Sequence, residues 1–384
     1  MIYLDHAATS FPKPREVVEE VRRALTRYGG NPGRGLHLPA RMAAGKVYDC
    51  REAAAELFGM DDPLRVFFTM NTTHGLNTVI KGTLKEGDHV LISDMEHNAV
   101  WRPIFRMAEE GKITYDIFPT LTGEDRQSPT RICAGIARLC RPNTRMVIAT
   151  AASNLCSTLL PIAEIGAFCH RHGLLFVVDG AQAAGHVPID LDSLAVDALC
   201  VPGHKGLLGP TGCGMVLLGK DFLPKSLCEG GNGVDSLEGY MPDFSPERYE
   251  AGTLPVAAIA GLCEGMRFLV RTGLCAVGEH ERALYRRARE IVGNLPQYEM
   301  YAPMYEGGIL LINLRGVPSE RLASFLDEKG ICTRAGYHCS ALGHKTLGTP
   351  GGGACRLSFG IFNTLSQIDT LGVALKEAAQ QLHA

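Results

Sequence analysis

Between Arg65 and Gly219 the chain alternates two spacings of apolar residues. Short, almost wholly apolar runs recur: RVFFTM, HVLIS, ITYDIF, RMVIATAAS, LLFVVDG, DALCVPG and GCGMVLLG. Stretches with helical spacing separate most of the earlier runs. Runs of this length read as buried strands, and their alternation with helices predicts an α/β domain: a mostly parallel seven-stranded sheet flanked by helices. Upstream, Val17, Val18, Val21 and Leu25 mark one face of a helix over 14–28. A GGNPGRG loop follows, and then a second helix over 40–58. The rhythm changes near Pro255. One long helical stretch over 257–293 leads to GGILLINL, a helix near Ser319–Lys329, two short strands and a terminal helix from Ser366. These predict a smaller α+β domain over 257–384 behind a large domain over 1–256, with the first helix packing against the small domain.

Composition narrows the class. At 384 residues, 46% hydrophobic and 21% charged, the chain reads as globular with two cores. A net charge of -3 provides no basic field, so neither nucleic acid nor an anionic membrane is an expected partner. The thirteen cysteines are odd in number, irregularly spaced and lack any C-x-x-C, so free thiols in a reducing cytoplasm are expected. MIYLDHAATS has no basic or apolar leader character, and the apolar runs are strand-sized rather than membrane-spanning.

Several polar groups follow the apolar runs directly, where an open α/β sheet binds ligands. Asp179 ends LLFVVDG with Gln182 three residues on. It reads equally as a helix cap or as the anion that keeps a ring nitrogen protonated. His204-Lys205 lies between Gly203 and Gly206. Lysine is ordinarily solvated, but one desolvated in a cleft becomes a Schiff-base amine. Thr72 and Thr73 open a helix and serve either as caps or as part of an anion site. His97 and Asn154 each follow a strand, and His97 has a catalytic role only if the other groups converge on one cleft. RAGYHCSAL places Cys339 five residues after Arg334 and next to His338, cations that would favour a thiolate. Read by residue type alone, Cys339 is a small buried hydrophobe. No G-x-G-x-x-G follows the first strand, there is no Walker loop, and no metal-ligand spacing is present.

Together, YLDHAATS, MEHNA, ASN, VDGAQ, GHKGLLGPTG, YEAGT and RAGYHCSA resemble, in order, the class V, fold-type I pyridoxal 5'-phosphate enzymes. Within these they resemble the cysteine desulfurases of the Suf-type, selenocysteine lyase-like branch. The resemblance covers nearly the whole chain. It implies a sulfurtransferase that converts L-cysteine to L-alanine and leaves a persulfide on Cys339. Lys205 would bond the cofactor aldehyde, Asp179 the ring nitrogen and Gln182 the phenolic oxygen. His97 would stack on the ring and carry protons. Thr72, Thr73 and His204 would hold the phosphate. Thr253 would reach the phosphate of a partner subunit, which implies a homodimer. Asn154 would contact cofactor and substrate, and Arg356, with Arg334, would grip the substrate carboxylate, which a guanidinium fork matches.

Tyr337, Ser340, Pro202, His74 and Phe362 depart from the family pattern. They bear more on partner proteins, such as a sulfur acceptor, than on the reaction. L-Selenocysteine is an alternative substrate. A class V aminotransferase that dispenses with Cys339, or a non-catalytic sulfur or selenium carrier, is an alternative function. The glycine-rich LGTPGGGA is expected to be a mobile active-site loop.

Overall fold

The structure is a computed structural model that describes residues 1–33, 35–120, 128–302, 304–349 and 351–382. Arg34 of the GGNPGRG loop and Pro350 of the glycine-rich segment lie outside them.

The chain opens with β1 (Ile2–Tyr3), α1 (Arg15–Arg27) and α2 (Leu38–Leu57). The large domain continues through β2 (Val66–Thr69), α3 (Thr72–Thr83), β3 (Asp88–Ser93), α4 (Asn98–Glu109), β4 (Ile113–Phe118), α5 (Pro129–Leu139) and β5 (Thr144–Thr150). It is completed by α6 (Ile162–Arg171), β6 (Leu175–Asp179), β7 (Ala198–Pro202) and β8 (Gly214–Leu218). All seven expected strands form one sheet, in the order β2-β8-β7-β6-β5-β3-β4, and only β8 runs against the rest. Successive residues of β5 divide between the faces. Met146 and Ile148 join the core under α3 and α4, whereas Val147 and Ala149 join the core under α2, α5 and α6. Covering both faces requires apolar residues at every position, which is why these strands read as unbroken runs rather than alternating ones.

The remainder comprises α7 (Val256–Thr272), α8 (Leu274–Gly293), β9 (Tyr298–Tyr301), β10 (Ile309–Leu314), α9 (Ser319–Glu328), β11 (Ile331–Cys332) and β12 (Arg334–Gly336). It closes with α10 (Ala341–Leu347), β13 (Ala354–Ser358) and α11 (Leu365–Gln381). An antiparallel sheet in the order β12-β13-β10-β9 packs on α8, α9 and α11 around a core of its own.

Two expectations need correction. The helical stretch over 257–293 is two helices, because Gly273 takes φ 86, a left-handed value that breaks the run. Next, α7 packs on α1 and α2 and its apolar face belongs to the large core, so the division in packing falls at Gly273 rather than at 256/257. The first helix, α1, packs on α7, the opening helix of the segment expected as the small domain. Its buried positions are Val17, Glu20 and Ala24, whereas Val18 and Leu25 are exposed. The inner face tolerates Glu20 because the Tyr28 hydroxyl and the Lys46 ammonium satisfy its carboxylate. The N-terminal segment that does join the small domain is β1, which pairs parallel with β11 and leads Leu4 into the small core.

Candidate active site

Because every strand except β8 points the same way, the carboxyl ends of β2, β3, β5, β6 and β7 open on one edge of the sheet. Each delivers polar groups there: Thr72 after β2, His97 after β3, Asn154 after β5, Asp179 at the end of β6 with Gln182 beyond it, and His204-Lys205 after β7. All of them, with Thr73 and Pro202, line a single cavity of about 270 Å³. Eight of the residues expected to bind a cofactor from the sequence thus converge there; Thr253 does not.

The electrostatics of the cavity follow from burial. Asp179 is 2% exposed and its carboxyl is raised by desolvation, opposed by the Ala181 N–H and by Lys205. The cap and ligand readings of Asp179 are compatible, because Oδ1 accepts from Ala181 N–H at 2.9 Å and Oδ2 is free to face the cavity. Desolvation lowers Lys205 to about 8, with Asp179 opposing. The backbone at Lys205 permits no larger neighbour, since a Cβ on Gly206 would sit 2.2 Å from Ala184 O.

His97 caps α4, accepting Ala99 N–H at Nδ1 over 3.0 Å. Its proton when neutral is therefore on Nε2. Burial, then Lys205 and Arg356, lower it to about 4, so it is an uncharged ring at neutral pH. Gln182 Nε2 donates to Ala7 O at 2.9 Å, which uses one of its two hydrogens.

The corner holding Arg334 and Arg356 contains a residue that does not stand out in the sequence. Asp5 accepts from Arg334 Nε and from Arg356 Nη2, each at 3.0 Å. Arg356 is 3% exposed, and Nη1 donates to Asn154 O at 2.9 Å. Its Nε is buried without a partner. Asp5 therefore aims both guanidinium groups, and two cations on one anion leave a net positive corner. The available signal was a carboxylate immediately after the first strand, within YLDHAATS.

Cys339 lies outside the lining set, but its loop is pinned to it. Asn154 Nδ2 donates to His338 O at 2.8 Å, and Asn98 N–H donates to Cys339 O at 2.7 Å. All thirteen cysteines are free, and only Cys228, Cys275 and Cys339 are exposed. The reading of Cys339 as a buried hydrophobe therefore fails. His338 and Cys339 take φ 49 and 55, left-handed values that cost side-chain-bearing residues about 1–3 kcal/mol each. The expectation that His338 favours a thiolate as a cation also fails, because burial and Arg356 lower it to about 3. The glycine-rich segment is tied at its far end: Tyr337 OH accepts Gly352 N–H at 2.8 Å, and Asn313 Nδ2 donates to Gly353 O at 3.0 Å.

Thr253 lines a different cleft with Asn31, Arg51 and Glu250, and its Oγ1 accepts from Asn31 Nδ2 at 3.2 Å. The YEAGT segment is anchored there by a buried pair, Arg51 Nη2 to Glu250 at 2.6 Å, and by Phe68 N–H to Glu250 at 2.7 Å.

Glu96, also overlooked, is fully buried between His97 and the sheet. Its Oε1 accepts from the Ser93 hydroxyl and from Thr150 N–H, and Oε2 has no partner. Desolvation raises it to about 8. A carboxyl held protonated in the fold adds stability that is complete below the unfolded pKa near 4.5 and is lost as pH rises through about 8. Glu96→Gln, which mimics the protonated acid, is expected to flatten the fall in melting temperature over that window. Parallel pH curves for the two proteins would contradict this.

The model of the family described as "Aminotransferase class-V" matches residues 2–371. The chain belongs to the class V aminotransferase family. It is 32% identical to a probable cysteine desulfurase of Methanothermobacter thermautotrophicus, over 98% of this chain and 94% of the relative. It is 31% identical to a cysteine desulfurase of Klebsiella pneumoniae, over 98% and 93%. Among solved structures, the apo cysteine desulfurase of Thermococcus onnurineus NA1 superposes with a TM-score of 0.87 at 28% identity, covering 99% of this chain and 94% of that one. A cysteine desulfurase of Escherichia coli gives 0.87 at 27%, over 98% and 94%. Among the described residues no helix is long and apolar enough to cross a membrane, and no cluster of metal-ligating side chains occurs.

Proposed function

We propose that the chain is a cysteine desulfurase that uses pyridoxal 5'-phosphate. One observation carries the reading: the desolvated Lys205 amine and the buried Asp179 carboxyl line the same cavity with His97, beneath a loop that exposes Cys339. The cavity fits the cofactor chemically. Thr72 Oγ1 and His204 Nδ1 are buried polar atoms without partners on its wall, and both suit phosphate oxygens beside the N-terminus of α3. Pro202 contributes no hydroxyl there, so Thr72, Thr73 and His204 carry the phosphate contacts of this subunit.

Bound there, the cofactor supplies an aldehyde for amine capture and a ring that draws electrons from the substrate Cα. The protein's groups do the rest. Asp179 would keep a proton on the ring nitrogen, and Gln182 has a second amide hydrogen to offer the phenolic oxygen. The neutral imidazole of His97 would pack against the ring. Lys205, lowered to about 8, has an appreciable free-base fraction near neutral pH, as an attacking amine and a carrier of the Cα proton both require. Arg356, steadied by Asp5 and Asn154, binds the substrate carboxylate with Arg334. The Cys339 thiolate attacks the substrate Sγ. An S–S bond forms as the Cβ–Sγ bond breaks, the bonding pair stays with Cβ and is protonated, and alanine leaves with the persulfide held on Cys339.

Arg356→Lys is expected to raise KM for L-cysteine about tenfold, roughly 1.4 kcal/mol, with the visible spectrum unchanged. An unchanged KM would remove Arg356 from the carboxylate site. The chain is also read as a homodimer. Thr253 lines a cleft separate from the Lys205 cavity, and Leu36, Leu237 and Tyr240, near its wall in sequence, are almost fully exposed. The overall reading is tested by reconstituting purified protein with the cofactor. A visible band bleached by borohydride, with alanine and sulfide formed from L-cysteine, is expected. Transamination without sulfide release would favour the aminotransferase alternative.

A further inference from the structure

Beside Cys339 a short chain of hydrogen bonds runs from α10 back to β12. His338 Nε2 lies 3.2 Å from Arg334 O, which can only accept, so Nε2 carries the proton. With the ring neutral, His338 Nδ1 is a lone pair. His344 Nε2, 3.1 Å away, must therefore be its donor. His344 is 3% exposed, and burial and Arg356 lower it as well, so its Nδ1 is in turn an acceptor. The Thr349 hydroxyl, which lies 2.8 Å from Nδ1 and 3.3 Å from the His344 carbonyl, supplies that hydrogen to the nearer acceptor. The donors thus point one way, Thr349 to His344 to His338 to the Arg334 carbonyl. The two imidazoles lie edge to edge and nearly coplanar, with centroids 5.4 Å apart and planes 12° from parallel. The Tyr337 ring meets His344 edge-on at 5.5 Å, so this departure from the family pattern packs against the chain.

We propose that His344 is a positioning residue for the nucleophile. Its Nε2–H locks the His338 ring against the Arg334 carbonyl and thereby holds the successive left-handed residues 338 and 339, so that the Cys339 thiol is presented toward the cavity. The main chain of the loop is held by Asn154 and Asn98 at the two carbonyls, and this chain holds the side-chain half. With both His338 nitrogens engaged, His338 is a strut and not the base that deprotonates Cys339. The proposal rests on Cys339 being the nucleophile.

The test uses the full-length, cofactor-loaded protein and its cofactor-free form. In His344→Ala, amide exchange of the peptide spanning Arg334 to Leu347 is expected to rise about tenfold in both forms. Turnover of L-cysteine is expected to fall about tenfold in kcat, with KM within about twofold of the parent. His344→Gln, whose amide nitrogen can replace the Nε2 donor, is expected to recover both to within about threefold. Thr349→Val keeps the ring and removes only its donor, and is expected to lose about threefold in kcat. Parent-like exchange and kcat in His344→Ala, a glutamine variant as impaired as the alanine one, or an unaffected Thr349→Val would each overturn the proposal. If Cys339→Ala itself desulfurates cysteine, the nucleophile assignment fails separately, and the exchange measurements still report whether His344 orders the loop.

Discussion

Replacing Cys339 with alanine is expected to lower alanine formation from L-cysteine by about 10³-fold or more while leaving the visible spectrum of the loaded protein intact. The two readouts separate because the structure separates the groups. The groups proposed to hold the cofactor lie at the strand ends of the large domain, whereas Cys339 lies on the loop between β12 and α10 and does not line the cavity. Cys228 and Cys275, the other exposed thiols, provide no substitute: neither is on this loop and neither lines the cavity. Burial disfavours the thiolate at Cys355, raising it to about 11, and likewise raises Cys156 and Cys200. An aminotransferase on the same scaffold would not notice the change. Full desulfurase activity in Cys339→Ala would remove the residue from its role, and loss of the spectrum would mean that the loop helps to build the cofactor site.

The second large effect is expected at Lys205. Lys205→Ala should abolish turnover, again by about 10³-fold or more, and should also remove the borohydride-sensitive band that the parent shows. The amine is desolvated beside Asp179, and its neighbours on the chain are constrained. Gly206 presses against Ala184, and Leu208 takes φ 61. Truncation at Lys205 removes an amine without relieving any packing, so the melting temperature should change little. A parent-like band in Lys205→Ala would place the covalent attachment on another residue.

Much of this site was legible in the sequence because its groups sit where buried parallel strands end. A carboxylate after LLFVVDG, or a lysine after DALCVPG, stands out against an apolar run, and parallel order gathers all such ends on one edge. What was not legible depended on tertiary partners. Asp5 reads as one acid in an N-terminal segment until β1 joins the small domain and delivers it to Arg334 and Arg356. Glu96 reads as a surface acid until the sheet encloses it. His338 and His344 lie six residues apart, and no periodicity shows that the left-handed residues 338 and 339 bring the two rings into hydrogen-bond contact. The helix boundary at Gly273 was missed for a simpler reason. Apolar spacing continues on both sides of it, so only the glycine's backbone conformation ends α7.

The central claim is that sulfur passes from the substrate to Cys339. It is tested most directly by mixing the loaded protein with one equivalent of L-cysteine, quenching with an alkylating reagent, and measuring the mass of the Cys339 peptide. The account predicts one added sulfur atom on that peptide, with alanine formed in equal amount. Alanine formed with no added sulfur on Cys339, or sulfur found on another cysteine, would contradict it.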